Sequence, residues 1–80
     1  MNQFIKANQS LGFKIREIRS SKGFTQEAFV AQMQVKGCDM TRSTFAKVEA
    51  GIRHISVFEL QTIVSILQID YNELFSSIDK

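Results

Sequence analysis

The sequence has no proline, one cysteine, one histidine and no long apolar run among its 80 residues. A single cysteine, Cys38, excludes an internal disulfide and a cysteine metal cluster. The lone histidine, His54, has no metal-ligand or acid–base set beside it, so we interpret it as a loop residue. No stretch is long and apolar enough to span a membrane, and residues 1–6 do not resemble a signal peptide. These absences predict a cytoplasmic protein.

The same scarcity argues against catalysis. An enzyme normally needs a nucleophile with a base, paired acids, or metal ligands in a pocket. One histidine, one cysteine and scattered acids do not supply such a set, and a chain of this size leaves little room for a cleft. We therefore predict a protein that is not an enzyme and that uses no cofactor and no metal.

The absence of proline and the scarcity of alternating strand patterns predict an all-α fold. The length fits one domain over residues 1–80, with a core over 10–76 and short flexible ends. Residues 1–9 are polar apart from Phe4 and Ile5, and the sequence leaves open whether this segment frays or docks on the domain or on a partner subunit.

Helix-start residues and apolar stripes at helical spacing predict five helices. Their predicted extents are Ser10–Ser21, Gln26–Gln34 after the cap Thr25, 42–50 after the cap Thr41, a fourth from the capping box at Ser56, and a short fifth from Asp70 to Phe75.

The third helix has two chemically different faces. Phe45, Val48 and Ile52 form a predicted apolar stripe, and Gly51 suits the left-handed residue just past a helix end. The opposite face carries small residues, two long cations and no acid: Arg42, Ser43, Ala46, Lys47 and Ala50. This is the chemistry that a helix needs in a DNA groove, although a solvated bundle helix would also account for these residues alone.

Charge is unevenly distributed along the chain. Residues 1–53 hold nine Lys or Arg and four acids, whereas residues 54–80 hold one lysine and four acids. Such asymmetry predicts that the N-terminal part faces a polyanion, although a chance division of few charges gives the same count.

Three polar residues beside the apolar stripes or at a helix start have predicted roles. Glu49 borders the apolar stripe of the third helix, and a buried carboxylate needs a cation. Arg19, at the edge of the first helix's own stripe, is the predicted partner. Gln26 would open the second helix, where free backbone N–H groups favour a phosphate, although a capping or solvated side chain is the simpler interpretation of Gln26 alone.

Four segments together resemble the Cro/C1-type, or XRE-like, helix-turn-helix regulators. They are LGFKIREIR (residues 11–19), KGFTQE (22–27), TRSTFAKVEAG (41–51) and LQIDYNELF (67–75). The resemblance covers about residues 11–75, which is nearly the whole domain.

The resemblance implies a five-helix, lambda-repressor-like domain that binds duplex DNA as a dimer on a two-fold symmetric operator and regulates transcription. It places the third helix in the major groove. The predicted base contacts are Arg42, Ser43, Thr44 and Lys47. The predicted backbone contacts are Thr25, Gln26, Lys36, Thr41, Ala50 and Arg53. Arg19 and Glu49 match a buried ion pair of the family.

One departure from the family concerns the connection between the second and third helices. The family usually joins them by a tight turn of a few residues, whereas the connection here, residues 34–40, is several residues longer. Either the second helix extends, or the connection bulges toward the DNA backbone and brings Lys36 close to it.

A footprint this small predicts a homodimer. Apolar residues on the acidic C-terminal part are the predicted interface: Tyr71, Leu74, Phe75 and Ile78. The alternative reading is an antitoxin-like or other protein-interaction module, for which DNA binding is secondary.

Overall fold

The computed structural model describes the backbone of residues 4–5 and 9–75, and the side chains of residues 10–75. Over these residues it contains five helices, as predicted, and one pair of two-residue strands. The elements in chain order are β1 (Phe4–Ile5), α1 (Gln9–Ser21), α2 (Gln26–Val35), α3 (Arg42–Glu49), β2 (Ile55–Ser56), α4 (Val57–Leu67) and α5 (Tyr71–Phe75). The fold is all-α, as the sequence predicted, and the end expected to be mobile, residues 76–80, lies outside the described residues.

The two strands pair in antiparallel register, with Phe4 opposite Ser56 and Ile5 opposite Ile55. Of the three alternatives for the N-terminal segment, residues 4–5 therefore dock on the domain. The strand pairing at residues 4–5 therefore lies before residue 10, where the domain core was predicted to begin. Strands of two residues are too short to show an alternating pattern, so no strand was predicted here.

Polar side chains cap the helices at the predicted positions. The side-chain oxygens of Thr25, Thr41 and Ser56 each accept the backbone N–H three residues on, at 3.0–3.1 Å. Asp70 does the same for α5 at 2.8 Å. Each cap satisfies a donor that the first turn leaves free, and its loss typically costs about 1 kcal/mol.

The core lies where α1 and α2 face α3, and where α4 and α5 close over them. The rings of Phe29 and Phe45 stack between α2 and α3, with their centroids 5.1 Å apart. Burying each such ring contributes roughly 1.5–3 kcal/mol. The side chains with no exposed surface are Ile15, Phe29, Met33, Phe45, Ile63, Leu67 and Leu74.

One predicted member of the apolar stripe is not in the core. Ile52 is 70 % exposed, while Phe45 and Val48 are buried. The helix ends at Glu49, and Gly51 adopts a left-handed backbone with φ of 76°. This turn directs the chain away from the helix axis before the stripe reaches its next position.

An ordered motif forms the connection between α2 and α3. The backbone N–H groups of Gly37 and Cys38 donate to the carbonyls of Gln34 and Met33, at 3.0 and 2.9 Å. These two bonds define a Schellman motif, in which an apolar contact across the helix end is common. Cys38 is accordingly buried.

A side chain completes this connection. The Gln34 amide donates to the carbonyl oxygen of Met40 at 3.1 Å, and Met40 is buried just before α3 begins. Helix α2 extends only one residue beyond its predicted end. The extra residues thus make a short, internally bonded turn and leave Lys36 exposed at its corner.

Candidate nucleic-acid interface

The outer face of α3 projects away from the core. Arg42, Ser43 and Lys47 are exposed, as is Ala50 just beyond the helix. In the described part of the chain, the side chains of Arg42, Ser43 and Lys47 have no hydrogen-bond or ion-pair partner. The only acid on α3, Glu49, points inward and is buried. The helix therefore presents an acid-free surface with two free cations.

Glu49 is held by an arginine of α1. Arg19 Nε lies 2.7 Å from Oε2 of Glu49, and its Nη2 lies 3.3 Å from Oε1. Both residues are 7 % exposed. Arg19 Nη1 also donates to the backbone carbonyl of Phe24. The structure thus brings the predicted pair together and satisfies the charges that burial would otherwise destabilise.

Gln26 joins α2 to the same carboxylate. Its Nε2 donates to Oε1 of Glu49 at 2.8 Å. An amide nitrogen carries two N–H groups, and only one of them is used in this bond. One carboxylate on α3 therefore accepts bonds from α1 and α2, and these bonds fix the angle at which α3 projects.

Close packing of α1 on the end of α3 depends on Gly12. A Cβ added at Gly12 would lie 2.5 Å from the carbonyl oxygen of Val48 and nearer still to that of Glu49. Real Cβ atoms do not approach backbone atoms so closely, so only glycine allows this contact. No local sequence pattern predicts this role for Gly12, because a glycine within a helix does not indicate what packs against it.

An open cleft lies between the starts of α2 and α3. It contains a cation that the sequence analysis also left unassigned, Arg16, which is exposed one helical turn before Arg19. The cleft is lined by Arg16, Arg19, Thr25, Gln26, Glu27, Arg42, Ala46, Glu49 and Ala50. Its spacing from Arg19 could have indicated that Arg16 lies at the same site, because residues three apart are on the same face of a helix.

The two threonines at the start of α3 are bonded to each other. The Thr41 hydroxyl accepts the backbone N–H of Thr44 at 3.1 Å and donates to the Thr44 hydroxyl at 3.0 Å. Thr44 is half-buried, whereas Thr41 is exposed. Their hydroxyls are therefore already engaged in the cap at the start of α3.

Arg53, in the segment after α3, is paired. Its Nη1 and Nη2 lie 3.0 and 3.2 Å from the two carboxylate oxygens of Glu59, and Nη1 also donates to the backbone carbonyl of His54 at 2.9 Å. Partial burial by itself would raise the pKa of Glu59. The hydrogen bonds from Arg53 and from the backbone N–H of Ser56 outweigh it, so this pKa lies below its usual value.

The predicted dimer residues of α5 are placed differently from one another. Tyr71 is exposed and Phe75 is half-buried, whereas Leu74 has no exposed surface. Leu74 packs within the protomer, so the prediction that it lines an interface is wrong for this residue. In a helix of only five residues, the sequence does not show which face is buried. In the structure Leu74 is on the buried face. Ile78 lies outside the described residues.

The described residues contain neither a metal-binding cluster nor a helix that could cross a membrane. No three His, Cys, Asp or Glu side chains lie together as a metal site within residues 10–75. None of the helices described is long and apolar enough to cross a bilayer.

The fold and this surface define a helix-turn-helix protein. Helix α3 lies outermost, is anchored by α1 and α2, and carries free cations on its outward face. The chain is 36 % identical over 70 residues to the Control protein C.MunI of Mycoplasma sp, a match that spans 86 % of this chain and 88 % of that relative. The chain therefore belongs to the Cro/C1-type helix-turn-helix regulators and is a small DNA-binding regulator of transcription, not an enzyme. No family model and no solved structure matches it.

Proposed function

We propose that the protein binds duplex DNA with sequence specificity by inserting α3 into the major groove. The acid-free outer face of α3, held by the Arg19–Glu49–Gln26 bonds, is the observation that supports this proposal. A helix of this kind can approach phosphates without repulsion and can donate to base edges. The proposed base contacts are Arg42, Ser43, Thr44 and Lys47, and the proposed backbone contacts are Thr25, Gln26, Lys36, Thr41, Ala50 and Arg53.

Among the base contacts, Arg42 has the most selective chemistry. A guanidinium donates two parallel hydrogen bonds to O6 and N7 of guanine, a pattern that no other base pair offers in the major groove. Arg42 lies in the first turn of α3, which is the end that reaches deepest in this mode of docking. The shorter Ser43 side chain and the long Lys47 one turn later follow along the same face.

We also propose that two copies bind together. The protomer measures 32 × 29 × 20 Å, and half-sites one turn of DNA apart are separated by about 34–36 Å. Two protomers on adjacent half-sites would therefore come within side-chain reach of each other if their longest axes follow the DNA. A homodimer on a two-fold symmetric operator is the arrangement that this distance favours.

The uncharged outer face of α4 is our proposed dimer surface. Its exposed residues Val57, Phe58, Gln61 and Ser65 carry no charge, and the one charged residue of α4, Glu59, is paired with Arg53. A surface that meets its own copy at a two-fold axis must not repel itself, and an uncharged face meets that condition. Of the interface predicted from sequence, exposed Tyr71 and half-buried Phe75 remain candidates among the described residues.

A selection experiment tests the proposed function. Full-length protein is mixed with a pool of random duplexes, and the bound molecules are sequenced after repeated rounds. We expect an enriched motif with two inverted half-sites centred about 10 base pairs apart. A pool that stays random at low salt, together with a co-purifying protein partner, would instead favour the protein-interaction reading. Because the protein is proposed to act on DNA, we place it in the cytoplasm.

A further inference from the structure

The pair of Arg53 and Glu59 joins the segment after α3 to the first turn of α4. Both carboxylate oxygens of Glu59 accept from the guanidinium, and one of them also accepts the backbone N–H of Ser56 at 2.9 Å. The Ser56 side chain in turn accepts the backbone N–H of Glu59. The carboxylate therefore belongs both to an ion pair and to a capping box, which fixes its position.

This arrangement leaves Arg53 with a defined set of free donors. A guanidinium has five N–H groups. Three of them serve Glu59 and the His54 carbonyl in the described structure, so Nε–H and one N–H of Nη2 remain. These two N–H groups lie on the same edge of the planar guanidinium. They can donate to two oxygens of one phosphate while Glu59 stays bound to another edge.

The carboxylate also offsets the charge of Arg53. The Glu59 side chain is 17 % exposed and that of Arg53 is 35 % exposed, so water screens the pair only partly. Non-specific binding depends on the summed attraction of cations for phosphates. A cation that already holds a carboxylate contributes little to that sum, yet it still donates well to a phosphate that arrives in line with its free edge.

We propose that Glu59 is a positioning residue for DNA recognition, which acts by holding Arg53 neutralised and correctly oriented. It lowers the affinity for arbitrary DNA and keeps the affinity for the operator, where the backbone meets the free edge of Arg53. Glu59 thus raises the ratio of specific to non-specific binding. This inference rests on the proposed DNA binding.

The test compares Glu59→Gln with Glu73→Gln. Both are the third residue of a helix whose start is capped, by Ser56 in α4 and by Asp70 in α5. Both changes add the same net charge, and glutamine keeps the capping function. Glu73 is exposed and has no arginine partner in the described residues, so it controls for net charge alone.

Binding is measured on the selected operator and on a scrambled duplex over a range of salt concentrations. For Glu59→Gln we expect several-fold tighter binding to the scrambled duplex than for Glu73→Gln. We also expect a salt slope steeper by about one per protomer, and a smaller ratio between the two duplexes. In the double variant Glu59→Gln/Arg53→Gln, the tighter binding to the scrambled duplex should be lost.

A second variant keeps the test independent of how Glu59→Gln folds. Arg53→Gln alone should weaken binding to both duplexes, because Glu59 is then an unpaired negative charge, but the loss on the operator should be several-fold larger because the aligned phosphate contact is lost as well. Equal behaviour of Glu59→Gln and Glu73→Gln, or equal losses on both duplexes for Arg53→Gln, would overturn the inference while leaving DNA binding intact. Failure of the wild-type protein to bind any duplex would instead remove the proposed function itself.

Discussion

Glu49 is the residue on which the position of α3 most depends. Its two oxygens accept from Arg19 of α1 and from Gln26 of α2. A charge buried with its partner adds little net stability, but an unpartnered one is costly. Removing one member of the Arg19–Glu49 pair should therefore lower the free energy of unfolding far more than the intact pair raises it.

We expect Glu49→Gln to lower the free energy of unfolding by about 3–5 kcal/mol, since Arg19 would stay buried without a full counter-charge. Urea denaturation followed by circular dichroism gives this value. The matched control is Glu17→Gln, which breaks an exposed pair with Lys14 and should cost less than about 1 kcal/mol. Similar losses for the two variants would show that the Arg19–Glu49 pair is solvated in solution.

Arg42 is the residue with which to test base recognition. We expect Arg42→Ala to cost about 1–3 kcal/mol on the selected operator and to relax the preference at one position of each half-site. Lys22→Ala removes an exposed cation outside the proposed interface and should leave the preference unchanged. A uniform loss on all sequences for Arg42→Ala would make this residue a phosphate contact.

Side-chain roles were predictable from sequence where the local pattern demanded a partner. Glu49 beside an apolar stripe required a cation, and the stripe of α1 offered Arg19. Arg53 carried no such requirement, because a loop arginine satisfies its charge with water, a phosphate or any nearby acid. The choice of Glu59 depends on how the chain turns between α3 and α4, which no local pattern specifies.

Packing between elements depends on a few positions with no side chain. Helix α1 rests on the last carbonyls of α3 through Gly12. A methyl group at this point must push the two helices apart or tilt one of them. The change would then reach Arg19 and the whole Glu49 site.

We expect Gly12→Ala to lower the free energy of unfolding by about 1–3 kcal/mol, despite the higher helix propensity of alanine. Thermal unfolding measures it. Ser20→Ala, at an exposed position of the same helix, is the control and should stay within about 0.5 kcal/mol of the wild type. A gain in stability for Gly12→Ala, as propensity alone predicts, would contradict the close approach.

The start of α4 should make stability depend on acid pH. The pKa of Glu59 is lowered in the folded protein, so its contribution is complete above the unfolded-state value of about 4.3. That contribution is lost as pH falls through the lowered value. We expect the stability difference between wild type and Glu59→Gln to stay constant from pH 7 to about pH 5 and to shrink below it, as urea titrations at each pH would show. A difference that does not change with pH would mean that the Glu59 carboxyl is not stabilised in the folded state.

Helices were readable from sequence because caps and stripes are local. Four of the five helix starts carry a side-chain cap that the sequence indicated, namely Thr25, Thr41, Ser56 and Asp70. The strand pair was not readable, since it joins residues fifty positions apart over only two residues each. The turn after α2 was recognised as longer than usual, but its Schellman bonds depend on which residue takes the left-handed position.

For the whole molecule, size and surface charge bear on assembly. Phe58 is 53 % exposed on the uncharged face of α4, and Phe13 is 60 % exposed on α1. Only the first lies on the proposed dimer surface. The two phenylalanines therefore form a matched pair for testing where the copies meet.

We expect Phe58→Gln to weaken the dimer at least about tenfold. Burying one phenylalanine contributes roughly 1.5–3 kcal/mol, and a two-fold interface contains the residue twice. Sedimentation equilibrium measures the dissociation constant, and Phe13→Gln should leave it unchanged. A wild-type protein that stays monomeric at high concentration and also on its operator would contradict the dimer proposal.

The outward side chains of α3 are not joined to the scaffold that holds them. Arg42, Ser43 and Lys47 make no bond within the described protomer, while Phe45, Val48 and Glu49 bind the helix from beneath. Mutational drift at the upper positions is therefore nearly free of any folding penalty. Under the proposed mode of DNA binding, substitutions at these three positions would therefore change the target sequence while leaving the fold intact.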